Sequence, residues 1–193
     1  MTQAIERRNY TIEEYLKLEA NSEERHEYID GEVVCVTGGT PNHNKIAGNF
    51  YAALNFGLKR QPYDVFVTDQ RLWIPQKRIY TYPDVMVIAH PIEYQETRRD
   101  TLVNPLLIAE ILSNSTQNYD RGEKFLAYRS IPTLQEYILI DQYSIHVEQF
   151  CKTDRNRWTL TEFDDANETL EMQTIPLQMV IADLYDKVEF EAE

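Results

Sequence analysis

The sequence predicts a mixed α/β domain, with helices packed against one central sheet. Three observations carry this. Amphipathic helical segments alternate with short apolar runs along the whole chain. Two of those runs, Leu106–Leu112 and Glu136–Asp141, are apolar on both faces, as in strands covered on both sides. The chain has 193 residues, 42% of them hydrophobic, which is enough for one core. A single domain over 1–193, with its core at about 10–185, is the expected organisation.

Thr11 and Glu14 form a capping-box pattern that opens a helix over Thr11–Leu18. The charged run Glu23–Glu27 reads as a short helical turn. Asp30-Gly31 turns the chain into a strand over Glu32–Val36, and Gly38–Pro41 is a loop. Ile46, Phe50, Ala53, Leu54 and Leu58 recur at helical steps, so Asn44–Leu58 is a helix closed by Gly57 and Pro62. Val65–Ile74 reads as one long strand. Tyr82–Ile88 and Leu106–Leu112 are the next two. Asp120–Arg129 is helical and stops before Pro132. Glu136–Asp141 forms a hairpin with Ser144–Phe150. Trp158–Glu162 and Thr169–Met172 are short antiparallel strands, and Leu177–Tyr185 is a last short helix.

No stretch reaches 18 apolar residues, which excludes a helical membrane span. The N-terminus lacks the apolar segment of a signal peptide, so the cytoplasm is the expected location. Cys35 and Cys151 show no metal spacing and read as reduced thiols. His26, His90 and His146 show no zinc spacing either. The net charge is −13, yet Glu162–Glu193 alone holds ten acids and one base. The repulsive field is therefore concentrated at the C-terminal end. The remainder offers no continuous basic stripe, which argues against tight non-specific DNA binding.

The anomaly is Glu110. It interrupts the aliphatic run Pro105-Leu-Leu-Ile-Ala-Glu110-Ile-Leu112, on the strand face shared by Leu106, Ile108 and Leu112. A carboxylate there requires a partner, a metal or an open cleft. Asp84 heads the preceding apolar strand after Pro83. Two carboxylates on paired strands suit a divalent ion, and oxygen-only ligands favour Mg²⁺ or Mn²⁺. The competing reading is a pair of solvated charges. His43 sits where a loop meets a helix and reads as a phosphate contact or a cap. Gln70 and Arg71 point into the same cleft or pair with a core acid.

Asp84 followed by Glu110-Ile111-Leu112 resembles the PD-(D/E)XK nuclease core. Arg25–Val34, Tyr82–Val87, Ala109–Thr116, Asp120–Lys124 and Glu136–Asp141 occur in order, and together they resemble the Uma-type family of restriction-endonuclease-like bacterial proteins. The resemblance implies a restriction-endonuclease-like core, a mixed sheet flanked by helices. It implies that Asp84 and Glu110 hold the metal, with the carbonyl of Ile111 as a third oxygen. Glu27, on the N-terminal helical segment, is then the first acid, ligating directly or through water. The superfamily's lysine follows the glutamate by two residues, where this chain has Leu112. Lys124, on the next helix, is the substitute. The implied function is metal-dependent hydrolysis of DNA, with a homodimer placing two sites on two strands. A nuclease-fold module that binds without cutting is the alternative, and a paired-carboxylate hydrolase of sugars is a third class.

Overall fold

The computed structural model describes residues 9–96 and 98–190. Helix α1 (Ile12–Glu19) carries the expected capping box. The Glu14 N–H donates to Thr11 Oγ1 at 3.1 Å, and the Thr11 N–H to Glu14 Oε2 at 2.9 Å. Tyr15 is its buried residue and stacks in a cluster with Tyr28 and Tyr80.

Strands β1 (His26–Ile29) and β2 (Glu32–Cys35) form an antiparallel hairpin. The expected helical turn over Glu23–Glu27 is therefore a misreading, and Glu27 lies on a strand. The physical reason is alternation: His26 and Tyr28 are buried, while Glu27 and Ile29 are half-buried. Tyr28 must reach the aromatic cluster, which only a strand allows with His26 on the same side. The turn needs Asp30 at φ 43° and Gly31 at φ 109°. Gly31→Ala would place a Cβ 3.3 Å from Asn9 Oδ1 in a conformation that L residues avoid. We expect a cost of about 1–2 kcal/mol, read as a melting temperature lower by a few degrees in a thermal scan.

Helix α2 (Pro41–Gly57) starts at the Thr40 cap, with Pro41 in its first turn. Its buried face is Ile46, Ala47, Phe50 and Leu54. Strands β3 (Tyr63–Val67) and β4 (Arg71–Ile74) replace the single long strand expected over Val65–Ile74. Thr68 breaks it at φ 48°, and the two halves join different sheets. A 3₁₀ turn (Pro75–Lys77) leads into β5 (Ile79–Thr81), followed by β6 (Val85–Ala89), β7 (Thr101–Leu102) and β8 (Leu107–Leu112). The helical segment after β8 is composite. Helix α3 (Gln117–Tyr119) passes into a π-helical turn (Asp120–Lys124) and then α4 (Phe125–Tyr128). Strands β9 (Glu136–Asp141), β10 (Val147–Asp154), β11 (Arg157–Phe163) and β12 (Thr169–Glu171) follow. The last segment is β13 (Gln178–Val180) before α5 (Ile181–Leu184), so the helix expected from Leu177 begins as a strand paired with β12.

The main sheet runs β11-β10-β9-β8-β6-β3, and only β8 and β9 are parallel. A second sheet, β2-β1-β5-β4-β7, stands where one central sheet was expected. The break at Thr68 separates the two. The architecture is nonetheless the mixed α/β arrangement the sequence predicts, with helices against a mixed sheet.

Every residue of β8 is buried. Leu107, Ala109 and Ile111 pack into the core beneath α2, and Ile108 and Leu112 into the core on the other face. Burying such aliphatic side chains contributes about 1.5–3 kcal/mol each. That packing holds Glu110 in place on the second face despite its charge.

Candidate active site

Strand β6 pairs antiparallel with β8, and Val85 lies opposite Ala109. This register sets Asp84 beside Glu110 and Ile111. The Asp84 N–H donates to Glu110 Oε2 at 3.4 Å, and the Ile111 N–H donates to Asp84 Oδ2 at 2.8 Å. Helix α2 brings His43 to the same carboxylate, with Nε2 3.1 Å from Asp84 Oδ2. Gly39 makes room for that ring, because a Cβ there would lie 2.7 Å from His43 Nδ1.

Lys124 reaches the site from the π-helical turn, a geometry that often marks functional positions. Its Nζ is 2.9 Å from Glu110 Oε1, 3.4 Å from Asp120 Oδ1 and 3.8 Å from Glu27 Oε1. Glu27 projects from β1 and accepts a hydrogen bond from the Thr81 hydroxyl. Tyr128 donates its hydroxyl to Glu110 Oε1 at 2.6 Å. Leu112, at the position where the superfamily carries its lysine, is buried in the core.

The sequence reading missed Asp120 and Tyr128. Both are buried and both touch the Glu110–Lys124 pair. A signal was present, since Asp120, Lys124 and Tyr128 recur at four-residue steps along one helical segment. Gln70 and Arg71 make their contacts elsewhere. Arg71 pairs with Asp100 at 2.7 Å and donates to Thr101 at 3.0 Å, while Gln70 donates to the Asp100 carbonyl. Arg71 is buried and pairs with an acid, but Asp100 is a surface acid with its side chain 55% exposed, not the core acid of the alternative reading.

The electrostatics are those of a buried charge cluster. Burial pushes the Glu110 carboxyl above the ordinary carboxylate range, opposed by the Lys124 ammonium and reinforced by Asp84 and Asp120. Burial also works against the Lys124 ammonium. The negative groups around it, Glu110 first, outweigh this and hold its pKa well above the usual lysine value. For His43, too, burial opposes the charge, and the Asp84 carboxylate prevails to raise the pKa.

The donor chemistry suits a hard cation. Among the described residues no hydrogen bond reaches Asp84 Oδ1 or Glu27 Oε2, so lone pairs are available on both. The side chains of Asp84 and His43 are 17% and 19% exposed against 4% for Glu110, so the cluster opens to solvent on the Asp84 side. Lys124 stands among the acids. Among the described residues, the trio of His, Cys, Asp or Glu atoms mutually within 4.8 Å is Glu24, His26 and Cys35 rather than these three carboxylates. Two carboxylates nevertheless suffice for Mg²⁺, which keeps several of its waters.

Residues 12–183 match a family model described as "Uma2: Putative restriction endonuclease". The uncharacterised protein sll1609 of Synechocystis sp. is 41% identical over 161 residues, covering 83% of this chain and 91% of that one. A second uncharacterised Synechocystis protein, slr1290, is 33% identical over 178 residues, covering 92% of each. The crystal structure of a "putative nuclease belonging to DUF820" from Anabaena variabilis superposes with a TM-score of 0.75 at 22% identity. It covers 92% of this chain and 98% of its own, which establishes a shared fold.

Proposed function

We propose that this chain, which belongs to the Uma2 family, is a divalent-metal-dependent endonuclease that hydrolyses DNA phosphodiester bonds. The observation that carries the reading is Lys124 at 2.9 Å from Glu110. The ammonium that Leu112 displaces from the strand is supplied from the helix.

In this reading Asp84, Glu110 and the carbonyl of Ile111 would hold Mg²⁺ or Mn²⁺, with Glu27 ligating directly or through water. Such an ion, when bound, lowers the pKa of a water and neutralises charge developing on phosphate oxygens. Lys124 orients the attacking water and stabilises the phosphate charge. His43, beside Asp84, faces the phosphate from the start of α2. The water oxygen bonds to phosphorus in line and gives up a proton to solvent, the bond to the leaving sugar oxygen breaks, and that oxygen takes a proton from solvent.

Charge distribution supports a nucleic-acid substrate. Between Glu32 and Asp64 the sequence holds no Asp or Glu, while Lys45, Lys59 and Arg60 fall in that span. This acid-free segment includes α2, whose first turn carries His43. A DNA backbone approaching along α2 meets the least repulsive part of a chain of charge −13. A twofold dimer belongs to the reading, so that two sites address two strands. A cytoplasmic location also belongs to it. Among the described residues no helix is long and apolar enough to cross a membrane.

The test is nicking of supercoiled plasmid by freshly purified protein with Mn²⁺, with EDTA as control. Metal-dependent conversion to open circles is expected. One observation favours a second reading, a module that binds without cutting: Lys124 and Tyr128 already occupy Glu110 Oε1. Absence of cleavage on single-stranded, double-stranded and supercoiled DNA would favour it.

A further inference from the structure

A second cluster of metal-ligating atoms lies on the β1–β2 hairpin, away from the carboxylates of β6 and β8. His26 and Cys35 are direct cross-strand partners, so their side chains leave the ladder on the same face. Glu24 is two residues before His26. One ligand atom from each of Glu24, His26 and Cys35 lies within 4.8 Å of the other two. The Cys35 thiol is 3.6 Å from Glu24 Oε2.

The imidazole is held from behind. His26 Nδ1 lies 3.1 Å from Glu19 Oε2, and the His26 backbone N–H donates to both Glu19 oxygens at 3.2 Å. The Tyr82 hydroxyl fixes Glu19 in turn, at 2.7 Å from Oε1. With its Nδ1 proton on a carboxylate, the ring keeps the Nε2 lone pair for another partner. Among the described residues no hydrogen bond reaches Nε2. A carboxylate bonded to one ring nitrogen while the other faces a metal is the usual support of a ligating histidine.

We infer that Glu24, His26 and Cys35 form a transition-metal site of the zinc class, separate from the Mg²⁺ or Mn²⁺ site proposed above. A thiolate, an imidazole and a carboxylate are a donor set for Zn²⁺, whereas hard ions take oxygen alone. Three protein ligands leave the fourth tetrahedral position to water, consistent with the exposure of Glu24. On binding, the Cys35 thiol loses its proton to solvent and the sulfur bonds the ion. The ion ties the segment before β1 to β2. It thereby steadies the strand whose next residue, Glu27, projects from the opposite face into the carboxylate cluster. Spacing along the sequence hides the site, because only the hairpin register sets Cys35 opposite His26.

The experiment titrates the full chain, stripped with EDTA, first with Co²⁺ and then with Zn²⁺. One equivalent of Co²⁺ should bring up a thiolate-to-cobalt charge-transfer band, which Zn²⁺ then abolishes. Cys35→Ser should lose the band and bind Zn²⁺ at least about tenfold more weakly, and Glu19→Gln should weaken binding by about 10–100-fold. Asp84→Asn should keep the band, which separates this site from the nuclease reading. Thermal scans of each variant verify that it is folded. Equal Zn²⁺ affinity in wild type and Cys35→Ser would overturn the inference. So would absence of the band, or a band that survives Cys35→Ser and disappears in Cys151→Ser.

Discussion

Asp84→Asn is expected to slow Mn²⁺-dependent plasmid nicking by at least about a thousandfold, because a Lewis-acid centre supplies several kcal/mol to the reaction. The fold should survive. Asparagine retains a carbonyl oxygen that can accept the Ile111 N–H, the 2.8 Å bond that ties the head of β6 to β8. A change in melting temperature beyond about 2–4 °C would exceed what roughly 1 kcal/mol produces in a chain of this size. It would point to lost structure rather than lost chemistry. Nicking that persists near the wild-type rate would remove Asp84 from the site.

Lys124→Ala is expected to abolish nicking and also to destabilise the fold by about 3–5 kcal/mol, the range for removing one partner of a buried charge cluster. The ammonium lies 2.9, 3.4 and 3.8 Å from carboxylates of Glu110, Asp120 and Glu27, and the Lys124 side chain is 11% exposed. Without it these acids face one another. Glu110 already has a raised pKa from burial, and loss of its cation raises it further. The sign follows from linkage. A carboxyl whose folded pKa exceeds its unfolded value makes the folded state bind more protons, so stability falls as pH rises above the unfolded pKa of about 4.3. Burial raises the wild-type Glu110 carboxyl to about 8. The stability deficit of Lys124→Ala should therefore widen between pH 7 and pH 9, where Glu110 ionises beside the ammonium in the wild type and stays protonated in the variant. Chemical denaturation of wild type and variant at the two pH values measures it. A deficit independent of pH would mean that the lost interaction was packing of the lysine stem.

Strands β8 and β9 were legible because each is an apolar run bounded by turn residues and buried on both faces, which leaves no competing period. Glu110 stood out for the same reason, as a charge where every neighbour is aliphatic. Helix α1 was legible from its capping box and from Ile12, Tyr15 and Leu16 falling on one helical face. Glu27 was misassigned because four of the five residues in Glu23–Glu27 are charged and the other is His26. The two-residue alternation is carried only by His26 and Tyr28, whose burial depends on an aromatic cluster assembled from distant elements. The break at Thr68 was hidden because its left-handed conformation falls on a β-branched residue, not on glycine or asparagine. Lys124 was singled out in the sequence, and its ammonium lies 2.9 Å from Glu110. Asp120 and Tyr128 needed the helix docked against β8 before their partner was evident.

The central claim is that Asp84 and Glu110 share a divalent ion, and a crystal soaked in Mn²⁺ tests it most directly by anomalous scattering. The account predicts an anomalous peak bonded to carboxylate oxygens of both residues, at the 2.0–2.6 Å typical of hard cations on oxygen. A map at saturating Mn²⁺ with no peak between them, and with Lys124 still bridging Glu110 and Asp120, would contradict it.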